Sequence, residues 1–273
     1  MGFFVTRVVT TMTDALIDRY GAVVLDVDGV LMRGREPVPG AAATLSALRA
    51  RGVGVALATN NASRSPEDIA GWLGQAGLAV EPWMVATSSQ ATARMMRGGE
   101  RAFVIGMPAL RHELAAADVR LVDAPDEADT VVVGIDPQVC YPALRDAAAA
   151  LFGGARFVAT NLDPNLPDED VPRPGNGAIV AVLRVTTERE PEVAGKPGGE
   201  LIHAAIATFA DPSGPVLTVG DRVDTDIVAG AAVGCDTALV LTGATSADGA
   251  AVAEPAPTWL LDDVSALLKP PPQ

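Results

Sequence analysis

Short apolar runs alternate along this chain with longer stretches whose apolar residues recur at helical spacing. Ala22–Leu25 is the first such run; Asp26 and Gly29 follow it, so it reads as a buried parallel strand feeding a tight loop. Pro39 and Gly40 open a helix carried by Leu45, Leu48 and Ala50. Residues 53–58 form a second buried run ending in Thr59, Asn60 and Asn61. Ser65, Pro66 and Asp68 set a capping box ahead of a helix that turns Ile69, Trp72 and Leu73 inward. Strand, helix, strand, helix in this order predicts a parallel sheet with right-handed crossovers.

Near Thr87 the pattern changes. Helix 88–96, strand 102–105, helix 108–117, strand 130–134, helix 141–152 and strand 156–159 describe a second, smaller α/β unit. Residues 161–177 are dense in Pro, Asn and Asp and read as a functional loop ahead of helix 178–186. After Gly195-Lys196-Pro197 a helix runs through Ile206. Strand 216–219, helix 225–233 and strand 237–241 then resume the first alternation, with 259–261 as an edge strand. The expected fold class is α/β: a doubly wound parallel-sheet core from residues 1–86 and 188–273, interrupted by an inserted cap at 87–187.

Composition narrows the partners. With 49% hydrophobic and 20% charged residues the chain reads as a soluble globular protein, and its longest apolar stretch, 227–241, is broken by Asp236, so no membrane span is expected. A net charge of −14 argues against nucleic acid, whose binders concentrate Lys and Arg. Cys140 and Cys235 form no disulfide framework; two buried thiols in a reducing cytoplasm are expected. Met1–Thr6 formally matches a myristoylation pattern but reads as a leader without consequence, and 269–273 reads as a loose tail. His112 and His203 fall in helices away from the polar clusters, and Trp72, Trp83 and Trp259 are expected in packing roles.

The chemistry gathers at strand ends. Ligands of open parallel sheets bind outside the carboxyl ends of the strands. There lie Asp26 and Asp28, then Thr59 and Asn60, then Lys196, then Asp221, Asp224 and Asp226. Two acidic clusters so placed repel unless a cation joins them, and Mg²⁺ suits an all-oxygen set. Lys196 and the loop N–H groups complete an anion site.

The ordered motifs DVDGV, TNN, GKP and GDRVDTDI resemble the haloacid dehalogenase superfamily of phosphatases. The long insertion between TNN and GKP is similar to that of the NagD-like, or p-nitrophenyl phosphatase, branch, and the likeness spans about residues 20–268. It implies a Rossmann-like core with an inserted cap. It also implies that Asp26 is the nucleophile and a Mg²⁺ ligand. On the same resemblance Asp28 would be the general acid and then base, its main-chain carbonyl also on the metal. By the same resemblance Thr59, Asn60 and Lys196 would bind the transferring phosphoryl group, Asp221 would ligate Mg²⁺, and Asp226 and Asp224 would support from behind. Asp163, Asn165 and Asn176, in the cap loop, would select the leaving group.

The expected activity is hydrolysis of a small hydroxylated organic phosphate such as glycerol 3-phosphate or phosphoglycolate through an aspartyl-phosphate, with p-nitrophenyl phosphate as an artificial substrate. Nucleoside monophosphates and sugar phosphates are the alternatives. A phosphomutase is a weaker reading, and a phospho-accepting receiver domain, about half this length, lacks the first-strand DxD. A dehalogenase lacks the second aspartate that this chain has in Asp28. The resemblance also allows a homodimer through the cap.

Overall fold

The computed structural model describes residues 14–166, 171–209 and 214–272; the Met1–Thr6 pattern and Pro167 lie outside them. A 3₁₀ turn (Leu16–Arg19) leads into β1 (Ala22–Leu25), buried along its whole length. A small antiparallel ribbon follows, β2 (Met32–Arg33) on β3 (Glu36–Pro37). Next come α1 (Ala41–Ala50), β4 (Gly54–Thr59), α2 (Pro66–Gln75), β5 (Val85–Thr87) and α3 (Ser88–Met95). Ser65 and Asp68 do cap α2: Ser65 Oγ accepts the Asp68 N–H at 3.2 Å, and Asp68 Oδ2 accepts the Ser65 N–H at 3.3 Å.

The second unit holds β6 (Arg101–Ile105), α4 (Pro108–Ala116), β7 (Arg120–Val122), β8 (Thr130–Val133), α5 (Tyr141–Phe152) and β9 (Arg156–Ala159). A second ribbon, β10 (Asn165–Leu166) on β11 (Arg173–Pro174), precedes α6 (Asn176–Thr187) and β12 (Glu192–Val193). The chain returns through α7 (Glu200–Ile206) and β13 (Val216–Gly220). A π-helical turn at Val223–Ile227 runs into α8 (Val228–Ala232), and β14 (Asp236–Val240), α9 (Ala247–Ala251) and β15 (Trp259–Leu261) follow.

Six parallel strands form the first sheet in the order β15-β14-β13-β1-β4-β5. Ala22 lies opposite both Val216 and Gly54, so β1 is central and the strand order switches direction at it. Alternation along β1 divides the packing: Val23 and Leu25 join Leu45, Leu57 and Leu73 on one face, while Val24 joins Ala56, Leu201 and Ile202 on the other. A crevice at the switch point is where such sheets bind ligands.

Five parallel strands form the second sheet, β12-β9-β8-β6-β7, with Val131, Phe157 and Leu183 on one face and Val104, Leu110 and Leu114 on the other. Helix α3 joins the two units, since Ala91 packs into the first and Ala93 into the second.

Several expectations need correction. The second sheet includes Glu192–Val193, so it extends past the expected boundary at 187. Helix α6 starts at Asn176 and takes in Gly177, inside the stretch expected as loop. Cys140 is exposed ahead of α5 and Cys235 only half-buried, so the two thiols are not both core residues. Trp83 is 63% exposed instead of packed. Lys269 is not loose, because its carbonyl accepts the Leu16 N–H at 2.8 Å. Among the described residues no helix is long and apolar enough to cross a membrane.

Candidate active site

The ladder between β1 and β13 continues one residue past the strand, with the Asp26 N–H donating to the Val219 carbonyl at 2.9 Å. This delivers the Asp26 side chain to the carboxyl end of the central strand. Behind it the chain reverses through Gly29 at φ +82°, while Val27 and Val30 bury themselves beneath the turn. Asp221 leaves the end of β13 alongside.

Lys196 enters from the segment returning from the second sheet, and its side chain is 5% exposed. Its Nζ lies 2.6 Å from Asp26 Oδ1 and 2.6 Å from Asp226 Oδ1, and it donates to the Ala58 carbonyl at 3.0 Å. The contact with Asp226 Oδ1 is an ion pair without good hydrogen-bond angles. Asp226 Oδ2 accepts the N–H groups of Asp221 and Arg222 at 3.2 and 3.0 Å. Asp221 Oδ2 accepts the Ala244 N–H at 2.6 Å.

Asp26, Asp221 and Asp226 each offer a carboxylate oxygen within 4.8 Å of the others. Three carboxylates against one ammonium leave surplus negative charge in a buried place, a cost that a divalent cation with oxygen ligands removes. The electrostatics of the site agree. Burial raises Asp26 above the usual carboxylate range; Lys196 opposes that shift and Asp226 adds to it. Burial, reinforced by Asp226, raises Asp221 to about 6, against the Ala244 N–H. Burial works against the charged form of Lys196, yet Asp226 and Asp26 outweigh it and hold the ammonium protonated.

The remaining expected residues divide. Thr59 is buried at the end of β4, with Oγ1 accepting the Asn61 N–H at 3.2 Å. Asp28 lies beside the trio and contributes no carboxylate to it; desolvation by the surrounding protein raises its carboxyl, Lys196 opposing and Asp163 adding. Asn60 keeps its amide off the anion position: Oδ1 accepts the Lys196 N–H at 2.8 Å, and Nδ2 faces the Lys196 carbonyl and Asp163.

Asp163 is the cap-loop residue brought to the site. Asn165 is exposed on β10. Asn176 is 1% exposed; its Nδ2 donates to the carbonyls of Val133 and Asn161 at 3.1 and 2.8 Å, so it braces the loop from inside. Asp224 does not reach the trio. It is 69% exposed and holds Arg222 at 2.7 and 3.1 Å, because that position of the turn points to solvent. Sequence reasoning missed Ala244, Arg222 and Asn161; a Gly-Ala pair just past β14 was the available signal for the first.

Two family models match this chain: haloacid dehalogenase-like hydrolase over residues 23–120 and HAD-hydrolase-like over 193–267. The D-glycerol 3-phosphate phosphatase of Mycobacterium tuberculosis is 39% identical over 260 residues, 93% of this chain and 72% of that protein. The chain belongs to the haloacid dehalogenase-like hydrolases. Within the family it is also similar to the acid sugar phosphatase of Staphylococcus saprophyticus, 35% identical over 92% of this chain and 97% of that one. Among solved haloacid dehalogenase-like structures, a glycerol phosphate phosphatase from M. tuberculosis in complex with magnesium aligns with a TM-score of 0.87. It is 38% identical and covers 94% of this chain and 79% of that one. NagD from E. coli K-12 aligns at 0.82, with 33% identity, 90% of this chain and 97% of that one.

Proposed function

We propose that this haloacid dehalogenase-like hydrolase is a magnesium-dependent phosphomonoesterase acting on a small hydroxylated organic phosphate. The observation that carries the reading is the Asp26 carboxylate, at the end of the central strand, held 2.6 Å from the buried Lys196 ammonium and within the acidic trio. Glycerol 3-phosphate leads the substrate class, as the named substrate of the M. tuberculosis relative.

Magnesium held by Asp26, Asp221 and Asp226, with the Asp28 carbonyl, would supply positive charge against the phosphate. Asp26 attacks phosphorus, and the bond to the leaving oxygen breaks as an aspartyl-phosphate forms. Asp28, raised by its surroundings, holds the proton that the leaving alkoxide takes. In the second half Asp28 takes a proton from water as that water displaces phosphate from Asp26. Lys196 neutralises Asp26 and the phosphoryl oxygens, while Thr59 Oγ1 and the main chain of the loop after β4 cradle them.

The inserted unit acts as a cap, entered after Thr87 and left after Val193, and Asp163 meets substrate hydroxyls from it. Exposed Phe152 and Val185 on the cap helices support pairing with a second copy. Two free cysteines support a reducing cytoplasm.

The test is phosphate release from glycerol 3-phosphate, phosphoglycolate, sugar phosphates and nucleoside monophosphates, with Mg²⁺ and with EDTA, for wild type and Asp26→Asn. Hydrolysis of the small hydroxylated esters, lost in EDTA and in the variant, is expected. Preference for nucleoside monophosphates overturns the substrate class, and turnover by the variant overturns the nucleophile.

A further inference from the structure

Asn60 spends its side chain on another residue's backbone. Its Oδ1 accepts the Lys196 N–H at 2.8 Å and its Nδ2 donates to the Lys196 carbonyl at 3.0 Å, so one amide grips both main-chain groups of that lysine. The same Nδ2 faces the Asp163 carboxylate oxygens at 3.2 and 3.3 Å. An asparagine amide has two N–H donors, and with both so placed neither is left for an anion.

The Asn60 main chain is tied as well. Its carbonyl accepts Ser88 Oγ at 2.7 Å and Asn161 Nδ2 at 2.8 Å. Ser88 begins α3, where the chain crosses into the second unit, and Asn161 and Asp163 lie in the loop after β9. Gly195, where the chain crosses back, is pressed against the same group: a Cβ there would lie 2.5 Å from Asn60 Oδ1 and 2.5 Å from the Thr160 carbonyl. Both crossings and the cap loop therefore converge on Asn60.

We propose that Asn60 is a positioning residue that fixes the Lys196 ammonium against Asp26 and transmits the placement of the cap to it. The inference rests on the phosphatase reading above. A lysine side chain is long and flexible, so its ammonium keeps contact with two carboxylates only while its backbone is held. The bracket on either side of the Lys196 Cα does that. Misplacing a reacting group by about 1 Å costs on the order of 10²-fold in rate.

The experiment compares Asn60→Ala and the size-matched Asn60→Asp, which keeps the acceptor for the Lys196 N–H and loses both donors. Turnover of p-nitrophenyl phosphate with Mg²⁺ is read beside the affinity for inorganic phosphate by calorimetry, with melting curves as a check on folding. The expected result is a kcat lower by about 10- to 100-fold, with phosphate affinity within about threefold of wild type. Gly71→Ala, on α2, where an added Cβ meets nothing within 4 Å and the Lys196 bracket is untouched, should keep kcat within about twofold. If Asn60→Ala does not fold, Asn60→Asp decides by the same split. A fall in phosphate affinity as large as that in kcat assigns the amide to phosphate and overturns the proposal, and so does unchanged kcat. Asp26→Asn in the same assay separates the two ideas. Turnover by it overturns the Asp26 nucleophile on which the phosphatase reading is built, whereas an inactive Asp26→Asn beside normal Asn60 variants sinks only the positioning role.

Discussion

Lys196 Nζ reaches Asp26 Oδ1 at 2.6 Å across 170 residues of sequence, with side-chain exposures of 5% and 12%. A buried ion pair is weak evidence for stability by itself, because desolvation offsets much of the attraction. Here the ammonium also faces Asp226, so it neutralises charge that would otherwise stand unopposed until a cation binds.

Removing that ammonium should therefore do two things. Lys196→Met is expected to lower kcat by on the order of 10²–10³-fold, the loss typical of a preorganised charge partner. Leaving buried carboxylates unpaired should also destabilise the metal-free protein by about 3–5 kcal/mol. Melting in EDTA and in Mg²⁺ checks this, and the variant should gain more from Mg²⁺ than wild type does. Equal melting of both proteins in EDTA would contradict the electrostatic account.

A second prediction concerns pH. The Tyr20 hydroxyl donates to Asp236 Oδ2 and accepts from Trp259 Nε1, both at 2.7 Å. Burial raises its pKa from 10.0 to about 12, with the Trp259 N–H opposing and Asp236 reinforcing. A phenol raised in the folded state favours the neutral form. Its contribution is full below pH 10 and disappears as pH climbs through about 12. Tyr20→Phe should flatten the alkaline decline in unfolding free energy across that window, measured by urea titration. A variant that declines as steeply as wild type would refute the linkage.

Asp221 is confined by two loops. A Cβ on Gly243 would lie 1.9 Å from Asp221 Oδ2, and one on Gly29, at φ +82°, 2.4 Å from it. Gly243→Ala should displace the carboxylate and weaken Mg²⁺ binding by about 10- to 100-fold, as loss of ligand support does elsewhere. The accompanying strain should be about 1–3 kcal/mol. Gly71→Ala is the control, since nothing lies within 4 Å of its added methyl. It should leave Mg²⁺ affinity unchanged and raise the melting temperature, as alanine in a helix does.

Parallel strands buried on both faces leave continuous apolar runs, which is why β1, β4 and β13 were legible in the sequence. β7 left no such trace, because Arg120 and Leu121 are exposed, and β12 is too short to show a period. Asp26, Thr59 and Asp221 could be found because each ends a strand or follows one directly. Asp224 and Asp226 sit in one turn, and no periodicity distinguishes them; packing turned Asp226 onto Lys196 and left Asp224 on Arg222. The engagement of Asn60 was illegible for another reason. Its partners stand 136 and 103 positions away, and only the folded crossings bring them together.

The cap supplies the last prediction, because two polar residues that look alike in sequence, one in its loop and one at the start of α6, do opposite work. Asn176 is buried and donates to main-chain carbonyls, so Asn176→Ala strands acceptors inside the second unit. The expected cost is about 1–3 kcal/mol of stability with the ranking of substrates unchanged. Asp163 instead presents its carboxylate toward the site from Asn60, and Asp28 feels its charge. Asp163→Asn should therefore leave stability within about 1 kcal/mol and alter the ratio of kcat/KM between hydroxylated esters and p-nitrophenyl phosphate. Melting curves and a two-substrate comparison check both variants together. A changed ratio in Asn176→Ala with none in Asp163→Asn would reverse the assignment, making the buried amide the specificity determinant.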